Sequence, residues 1–493
     1  MLWRHNLTCA ATVTGTVTAQ IHPSKCTDAL VTRSVRYEDV HLAANTATTD
    51  TTGLYSVTCT SGGTVTTNFT GPHCYVDRQD GPADAFFSST TNCPGTKNVA
   101  WTNSNSLASE RDAFYHATLA HDNVKRIDPA YTANDLQIPL WVKSIGDECN
   151  AYWDGTGIWF GDVLAPCADM GSAPDIVYHE YTHSISYYLY FSHGASLGLQ
   201  NTALAEGLAD VNTAYIRDNP LIGDAIEGPG TYFRNLAGPT LRYPEDLAVG
   251  PNQAGLILAE AMWDLRQSVG MAVAERIAHF AKYGLPDDPN TGVAFSEYFL
   301  DLLVADDNDA DISNGTPHYS QIVNAFNAHG IGTNFFVSIA HTPVDDQPAS
   351  GPYPVRAIIQ YSGPIGGLDP NSPTAFFSVR NLPYAAQLMT PTGNADEWGT
   401  DLPSTSGAVF RYYIRVSDVN GGIRIVARRG AAQCLLVHRR ARLPRCWFRA
   451  WRPIRAGPSP TSTRPADSGS ARIQSVRPVS RRTITPSTEP FAG

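Results

Sequence analysis

The sequence predicts a multidomain α+β protein in which a mixed domain, a β-sheet-bearing first lobe followed by a helical second lobe, is flanked by β-sandwich modules. Three observations carry that prediction. Period-two Thr/Val patterning dominates before Cys74, apolar residues recur at helical spacing in several segments after Ala108, and alternation returns from Val355 to Val416. The expected boundaries are a β-sandwich-like module and linker at 1–95, the mixed domain at 96–337, an immunoglobulin- or fibronectin-like sandwich at 338–422, and an Arg/Pro/Ser-rich, disordered tail at 423–493. With 493 residues, 42% hydrophobic and 16% charged, the chain has enough material for two to four domains with buried cores.

The first module rests on stretches such as Thr12-Val13-Thr14-Gly15-Thr16-Val17-Thr18, which alternate small polar and apolar residues and contain few helix formers. Thr49 to Val57 is similar to the turn and strand of a carboxypeptidase-regulatory-like sandwich. From about Tyr75 to Ser106 Gly, Pro, Ser and Asn accumulate, which reads as linker. A helix is expected from Ala108 through Phe114, Tyr115, Leu119 and Val124. Strands are expected at Ile138–Val142 and Gly157–Gly161, with a turn at Asp154-Gly155. The chain after Asp210 reads as helical as far as about His329. Val355–Ile359, Ala375–Val379 and Phe410–Val416 read as strands with Pro/Gly-rich turns between them, the pattern of a sandwich.

Charge is divided unevenly. Residues 1–422 hold 20 Lys and Arg against 44 Asp and Glu, whereas 423–493 hold 15 Arg against 2 acids. An acidic body argues against nucleic acid as a partner. No apolar run approaches the ~20 residues that a membrane helix needs. Nine cysteines, at 9, 26, 59, 74, 93, 149, 167, 434 and 446, include no C-x-x-C pair. Disulfides in an exported protein therefore fit better than thiolate metal ligation. Cys149 and Cys167 are the expected pair, because they bracket the approach to the helix described next. The start, Met1 to Asn6, lacks the apolar core of a signal peptide, so a secreted protein with a truncated start is expected.

The candidate site lies in Pro174-Asp175-Ile176-Val177-Tyr178-His179-Glu180-Tyr181-Thr182-His183. Ser172 and Asp175 read as a capping pair, with Pro174 tolerated in the first turn. Residues four apart on a helix lie about 40° past a full turn and about 6 Å apart along the axis, so His179 and His183 face the same way. Two imidazoles so placed can reach one zinc ion at ~2.0–2.1 Å, and Glu180, about 100° round, remains free to act as a base on a metal-bound water. A catalytic zinc site needs a third protein ligand. Glu206, in the helix-like segment Leu204–Ile216, is the candidate. Asp210, one turn on, is placed to accept a hydrogen bond from the far nitrogen of a ligand histidine.

At these residues the chain resembles the thermolysin-like and fungalysin-like zinc metallopeptidases, the gluzincins, whose pattern is H-E-x-x-H followed some twenty residues later by E-x-x-x-D. It does not resemble the group with a third histidine, since Leu189 and Ser186 stand at that group's histidine and glycine positions. The resemblance spans roughly residues 100–335. It implies zinc ligands His179, His183 and Glu206, base Glu180, supporting Asp210, and a secreted endopeptidase acting on peptide or protein substrates.

Further roles follow from the same resemblance. Cys149-Asn150-Ala151-Tyr152-Trp153-Asp154-Gly155 is similar to the gluzincin edge strand, so Asn150 and Ala151 are expected to hold the substrate's main chain. Tyr232–Leu236 and Arg242–Pro244 resemble a fungalysin-like segment, and Arg234 is the candidate for a substrate carbonyl. Asn252 stands where the family has an oxyanion-stabilising histidine. Asn donates only a neutral hydrogen bond, and loss of one such donor costs about 10²–10³ in turnover. His318 is a substitute candidate, with capping of the next helix as its other reading.

Asp307, Asp309 and Asp311 alternate as in a calcium loop, making calcium a second candidate cofactor. Yet Ile312 and His318 occupy the positions of that loop's glycine and closing glutamate, and a polar turn with capping aspartates competes with it. The rival for the whole chain is a non-catalytic extracellular binding protein with a degenerate metallopeptidase domain. A surface protein without metal is the third reading.

Overall fold

The strand Ala11–Ile21 is the hub of the first half. It pairs antiparallel with Leu54–Cys59 and Val31–Ser34, and parallel with Gly95–Thr96 and Val99–Trp101. Its burial alternates, with Val13, Val17, Ala19 and Ile21 inside, because side chains two apart share a face. A second sheet runs in the order Asn45–Thr48, Asp39–Leu42, Gly63–Thr67, Phe87–Thr91. The computed structural model describes residues 11–248, 250–342, 344, 352–363, 366–379, 383–403 and 410–428.

The stretch expected to be linker carries four strands, Cys74–Arg78, Phe87–Thr91, Gly95–Thr96 and Val99–Trp101. Its Gly and Pro residues cluster in the turns between them, and a disulfide joins Cys59 to Cys93. Cys74–Arg78 leaves the first module altogether. It lies parallel to Ile138–Ser144 in a four-stranded sheet ordered Cys74–Arg78, Ile138–Ser144, Ile158–Gly161, Ala151–Trp153. One hydrophobic core consequently runs from Val13 through Trp101 and Phe114 to Leu189.

Helix α1 (Ala108–Ile127) lies within that core. Its buried polar groups find partners in the first module. Asp112 accepts from His22 N–H at 2.8 Å and lies 2.6 Å from His22 Nδ1, while His116 Nε2 lies 2.9 Å from the His22 carbonyl. Glu110 accepts from the Leu107 and Ala85 N–H groups, each at 2.7 Å, which closes the start of α1 onto the preceding strands.

Helices α2 (Pro174–Ser192) and α3 (Thr202–Arg217) carry the candidate site. Pro174 opens α2 as expected, but the Ser172/Asp175 capping pair does not form. Ser172 Oγ instead donates to the Asp169 carbonyl at 2.7 Å, and Asp175 is buried, where it accepts from Asp224 N–H at 2.9 Å and faces Arg217 at 3.5 Å. Asn201 caps α3, accepting from Leu204 N–H at 3.0 Å.

Helices α4 (Pro251–Val269), α5 (Met271–Ala281), α6 (Thr291–Asp306) and α7 (Tyr319–Ala328) join α3 in a second core. At the crossing of α3 and α4 two glycines meet: a Cβ on Gly207 would lie 2.7 Å from the Gly255 carbonyl, and one on Gly255 would lie 2.5 Å from that of Ala203. Neither position has room for a methyl group, and that closeness sets the distance between the two helices.

Two antiparallel four-stranded sheets follow. One is ordered Val337–Ala340, Tyr353–Tyr361, Glu397–Leu402, Thr390–Pro391; the other is ordered Ala385–Leu388, Thr374–Val379, Phe410–Ser417, Ile423–Arg428. Val355, Ala357, Ile359, Ala375, Ile414 and Val416 fill their common core. The sheet therefore continues past the expected boundary at 422. Ile423–Arg428 pairs along Phe410–Ser417 as an edge strand, a position that leaves Arg424 in solvent. The rest of the tail expected to be disordered lies outside the described residues. Among the described residues no helix is long and apolar enough to cross a membrane.

Candidate metal centre

His179 and His183 lie one turn apart on α2, and Glu206 faces them from α3. Nε2 of His179 lies 3.2 Å from Nε2 of His183 and 3.1 Å from Glu206 Oε2, and His183 Nε2 lies 3.7 Å from Glu206 Oε1. A tetrahedral zinc with ligand bonds of ~2.0–2.1 Å has donor–donor edges of about 3.3–3.4 Å. The His179–His183 and His179–Glu206 contacts lie close to that edge length, whereas His183 is farther, at 3.7 Å, from the other Glu206 oxygen. The two rings are nearly perpendicular, at 83°, which allows both in-plane lone pairs to aim at one point. His179 is buried, while His183 and Glu206 are partly open.

Behind His179 stands a chain of charges. Its Nδ1 lies 2.9 Å from Asp210 Oδ1, a close ion pair although the angle departs from hydrogen-bond geometry. Asp210 is fully buried and is gripped by both arms of Arg234, Nε at 2.6 Å and Nη2 at 2.7 Å. A planar guanidinium fork on a carboxylate fixes orientation as well as charge. The fork of Arg234, the candidate for a substrate carbonyl, thus holds Asp210, because a buried carboxylate without a counter-charge would be costly.

The electrostatics point to a cation. Burial would lower His179, yet Asp210 and Glu206 outweigh it and push the ring up to about 10. Burial would raise Asp210, but Arg234 and His179 hold it down to about 2. Burial would likewise raise Glu206, but the His179 contact keeps its carboxyl below the usual range. His183 is driven down to about 4 by burial, which leaves its lone pair free. Two ionised carboxylates, one imidazole that they hold in its charged form and a second that stays a free base suit a divalent ion, which supplies the positive charge the carboxylates face.

Glu180 is buried and pushed up to about 7, chiefly by desolvation, with His179 opposing the rise. The main-chain N–H of Trp153 faces it and also opposes the rise. Trp153 was not singled out from sequence, since a main-chain donor leaves no mark in residue identity. It ends the strand Ala151–Trp153, which pairs only with Ile158–Gly161 and so forms an edge of its sheet. The hairpin turn at Asp154 closes it, with the Asp154 N–H donating to the Gly157 carbonyl at 3.1 Å. Asn150 immediately precedes this edge, with an exposed side chain, and its carbonyl accepts from Gly161 N–H at 2.9 Å. Ala151 opens the strand. The expected disulfide between Cys149 and Cys167 is present and ties the hairpin to the approach to α2.

Two other candidates are engaged elsewhere. Asn252 Nδ2 donates to Glu206 Oε2 at 2.8 Å, so its amide serves the ligand carboxylate and not an oxyanion. His318 precedes α7, with Nδ1 2.8 Å from Asp306 Oδ1 and its N–H donating to Asp306 Oδ2 at 2.7 Å; the buried Asp306 carboxylate claims it. The aspartates of the calcium candidate bond within their own turn. Asp307 Oδ1 accepts from Asn308 N–H at 2.9 Å, and Asp309 accepts from Asp311 N–H at 3.0 Å and from the Asn314 amide at 2.8 Å. Among the described residues, the groups whose donors converge for a metal are His179, His183 and Glu206, and separately His73, His121 and Asp135.

No protein-family model and no curated protein matches the chain. Among solved structures the chain is similar to the precursor of protealysin, a metalloproteinase from Serratia proteamaculans. The identity is 16% and the TM-score 0.39, over 52% of this chain and 87% of that one.

Proposed function

We propose that this chain is a secreted zinc-dependent endopeptidase of gluzincin type. The observation that carries the reading is the convergence of His179, His183 and Glu206 beside the buried carboxyl of Glu180. When bound, zinc supplies Lewis acidity and a water acidic enough to be used near neutral pH. Glu180, pushed up to about 7, takes the proton from the attacking water and can return it to the leaving amine. A peptide bound as an added strand along Ala151–Trp153 is held by main-chain hydrogen bonds, which suits substrates of varied sequence. Arg234, through Asp210, keeps His179 in one orientation, and Asn252 does the same for Glu206. Two disulfides suit an oxidising, extracellular compartment.

Glu180→Gln tests the reading. It should retain zinc and lose at least 10²-fold in casein cleavage, on the order expected for removal of a general base; equal cleavage by the two proteins would refute the assignment. One observation favours a second reading, a non-catalytic extracellular binding protein. The Asn252 amide donates to Glu206 in place of the charged imidazole that an oxyanion would favour. A zinc-loaded protein that binds a peptide hydroxamate but cleaves no member of a peptide library would support that alternative.

A further inference from the structure

A second cluster repeats the plan of the first in another part of the molecule. His121, on α1, is 3% exposed, and its Nε2 lies 2.9 Å from Asp135 Oδ1. Its Nδ1 points to Asp122 Oδ1 at 4.0 Å, beyond hydrogen-bond reach. Asp122 in turn is held by the Arg36 guanidinium and accepts from the Tyr37 hydroxyl at 2.8 Å. This is the order found at the first cluster, where Glu206, His179, Asp210 and Arg234 follow one another. A ligand histidine whose far nitrogen faces an anchored carboxylate is the usual support of a protein metal site. His73 completes the set from the turn before Cys74–Arg78. Its ring centroid is 3.6 Å from that of His121, and its buried Nδ1 has no hydrogen-bond partner.

We propose that His73, His121 and Asp135 form a second site for a divalent transition metal of the zinc, nickel or copper type. The donor set, two imidazoles and one carboxylate, suits those ions and not calcium or magnesium, which take oxygen ligands. The site differs from the first in two respects that make it weaker. The rings lie 21° from parallel, so the lone pair of His73 runs beside that of His121, and this partly exposed ring must turn to share an ion. Lys125 Nζ also lies 3.0 Å from Asp135 Oδ2, which leaves only Oδ1 for a cation. A metal here would join α1 and the loop at Asp135, whose ligands are 14 residues apart, to the turn at His73, which lies far from both in sequence.

The test is metal stoichiometry and affinity on the chelator-treated full chain, titrated with Zn²⁺ and followed by calorimetry and elemental analysis. His73→Phe keeps an aromatic ring on His121 while removing the donor, and Asp135→Asn keeps the shape while removing the charge. Wild type should take two equivalents, each of these variants one, and His183→Gln one. Asp122→Asn should weaken only the second equivalent, by about 10–100-fold. A wild type that takes a single equivalent, abolished by His183→Gln, overturns the proposal, as do two equivalents in both His73→Phe and Asp135→Asn. Loss of one equivalent in His73→Phe with none lost in His183→Gln would sustain this site and sink the first.

Discussion

Asn252, in the first turn of α4, donates its amide to Glu206 in α3 at 2.8 Å. The contact depends on the closeness of the two helices at Gly207 and Gly255, and it turns a residue expected to face the substrate into one that steadies a metal ligand. Asn252→Ala should therefore weaken zinc binding by about 10-fold or more, the usual effect of losing a partner behind a ligand. Competition with a chromophoric chelator measures it. Unchanged affinity combined with a large fall in turnover would return Asn252 to the oxyanion role.

The glycine crossing itself should not tolerate a side chain. Gly207→Ala brings a methyl within 2.7 Å of the Gly255 carbonyl, so α3 and α4 must separate. The expected loss is about 1–3 kcal/mol, as for other overpacked interiors. Urea unfolding reads the stability, and zinc affinity should fall with it, because Glu206 rides on the displaced helix.

Arg234→Met leaves Asp210 buried beside His179 without its main counter-charge. Breaking a buried pair from one side costs about 3–5 kcal/mol. Arg234→Met with Asp210→Asn should recover part of that loss in thermal unfolding. If Arg234→Met matched wild type in stability and changed only the KM for peptides, the earlier substrate role would be the correct one.

Stability should fall with rising pH through a carboxyl remote from the metal centre. Burial pushes Glu38 up to about 8, against hydrogen bonds from Thr67 at 2.7 Å and Trp101 at 3.1 Å. Unfolded, the group ionises near 4.5. Between those values the folded chain holds a proton that the unfolded chain has lost, so the contribution is fully present below 4.5 and disappears as pH rises through about 8. Urea midpoints at pH 5 and 9 should differ more for wild type than for Glu38→Gln. Equal differences would mean that Glu38 titrates normally in the folded state.

The candidate site was legible where its geometry is local. The four-residue spacing of His179 and His183 and of Glu206 and Asp210 needs only a helix, and helical pattern marks both segments. The alternation in Ala11–Ile21 and in the last sandwich was legible for the same reason, since a strand shows one face every second residue. The stretch from Tyr75 to Ser106 misled, because its strands are brief and its turn residues dominate the composition. Cys74–Arg78 finds its sheet partner more than sixty residues away.

By itself the sequence determined the helices and strands that carry the chemistry, the ligand types and their spacing within each helix, because backbone periodicity is a property of neighbouring residues. Only the tertiary structure decided that Arg234 grips Asp210, that Asn252 serves Glu206, that Asp306 claims His318, and that a strand from the first module joins the sheet beside the metal centre. Those pairings depend on which buried charges meet once the helices pack, and two glycines at a crossing set that distance as firmly as any charged residue does.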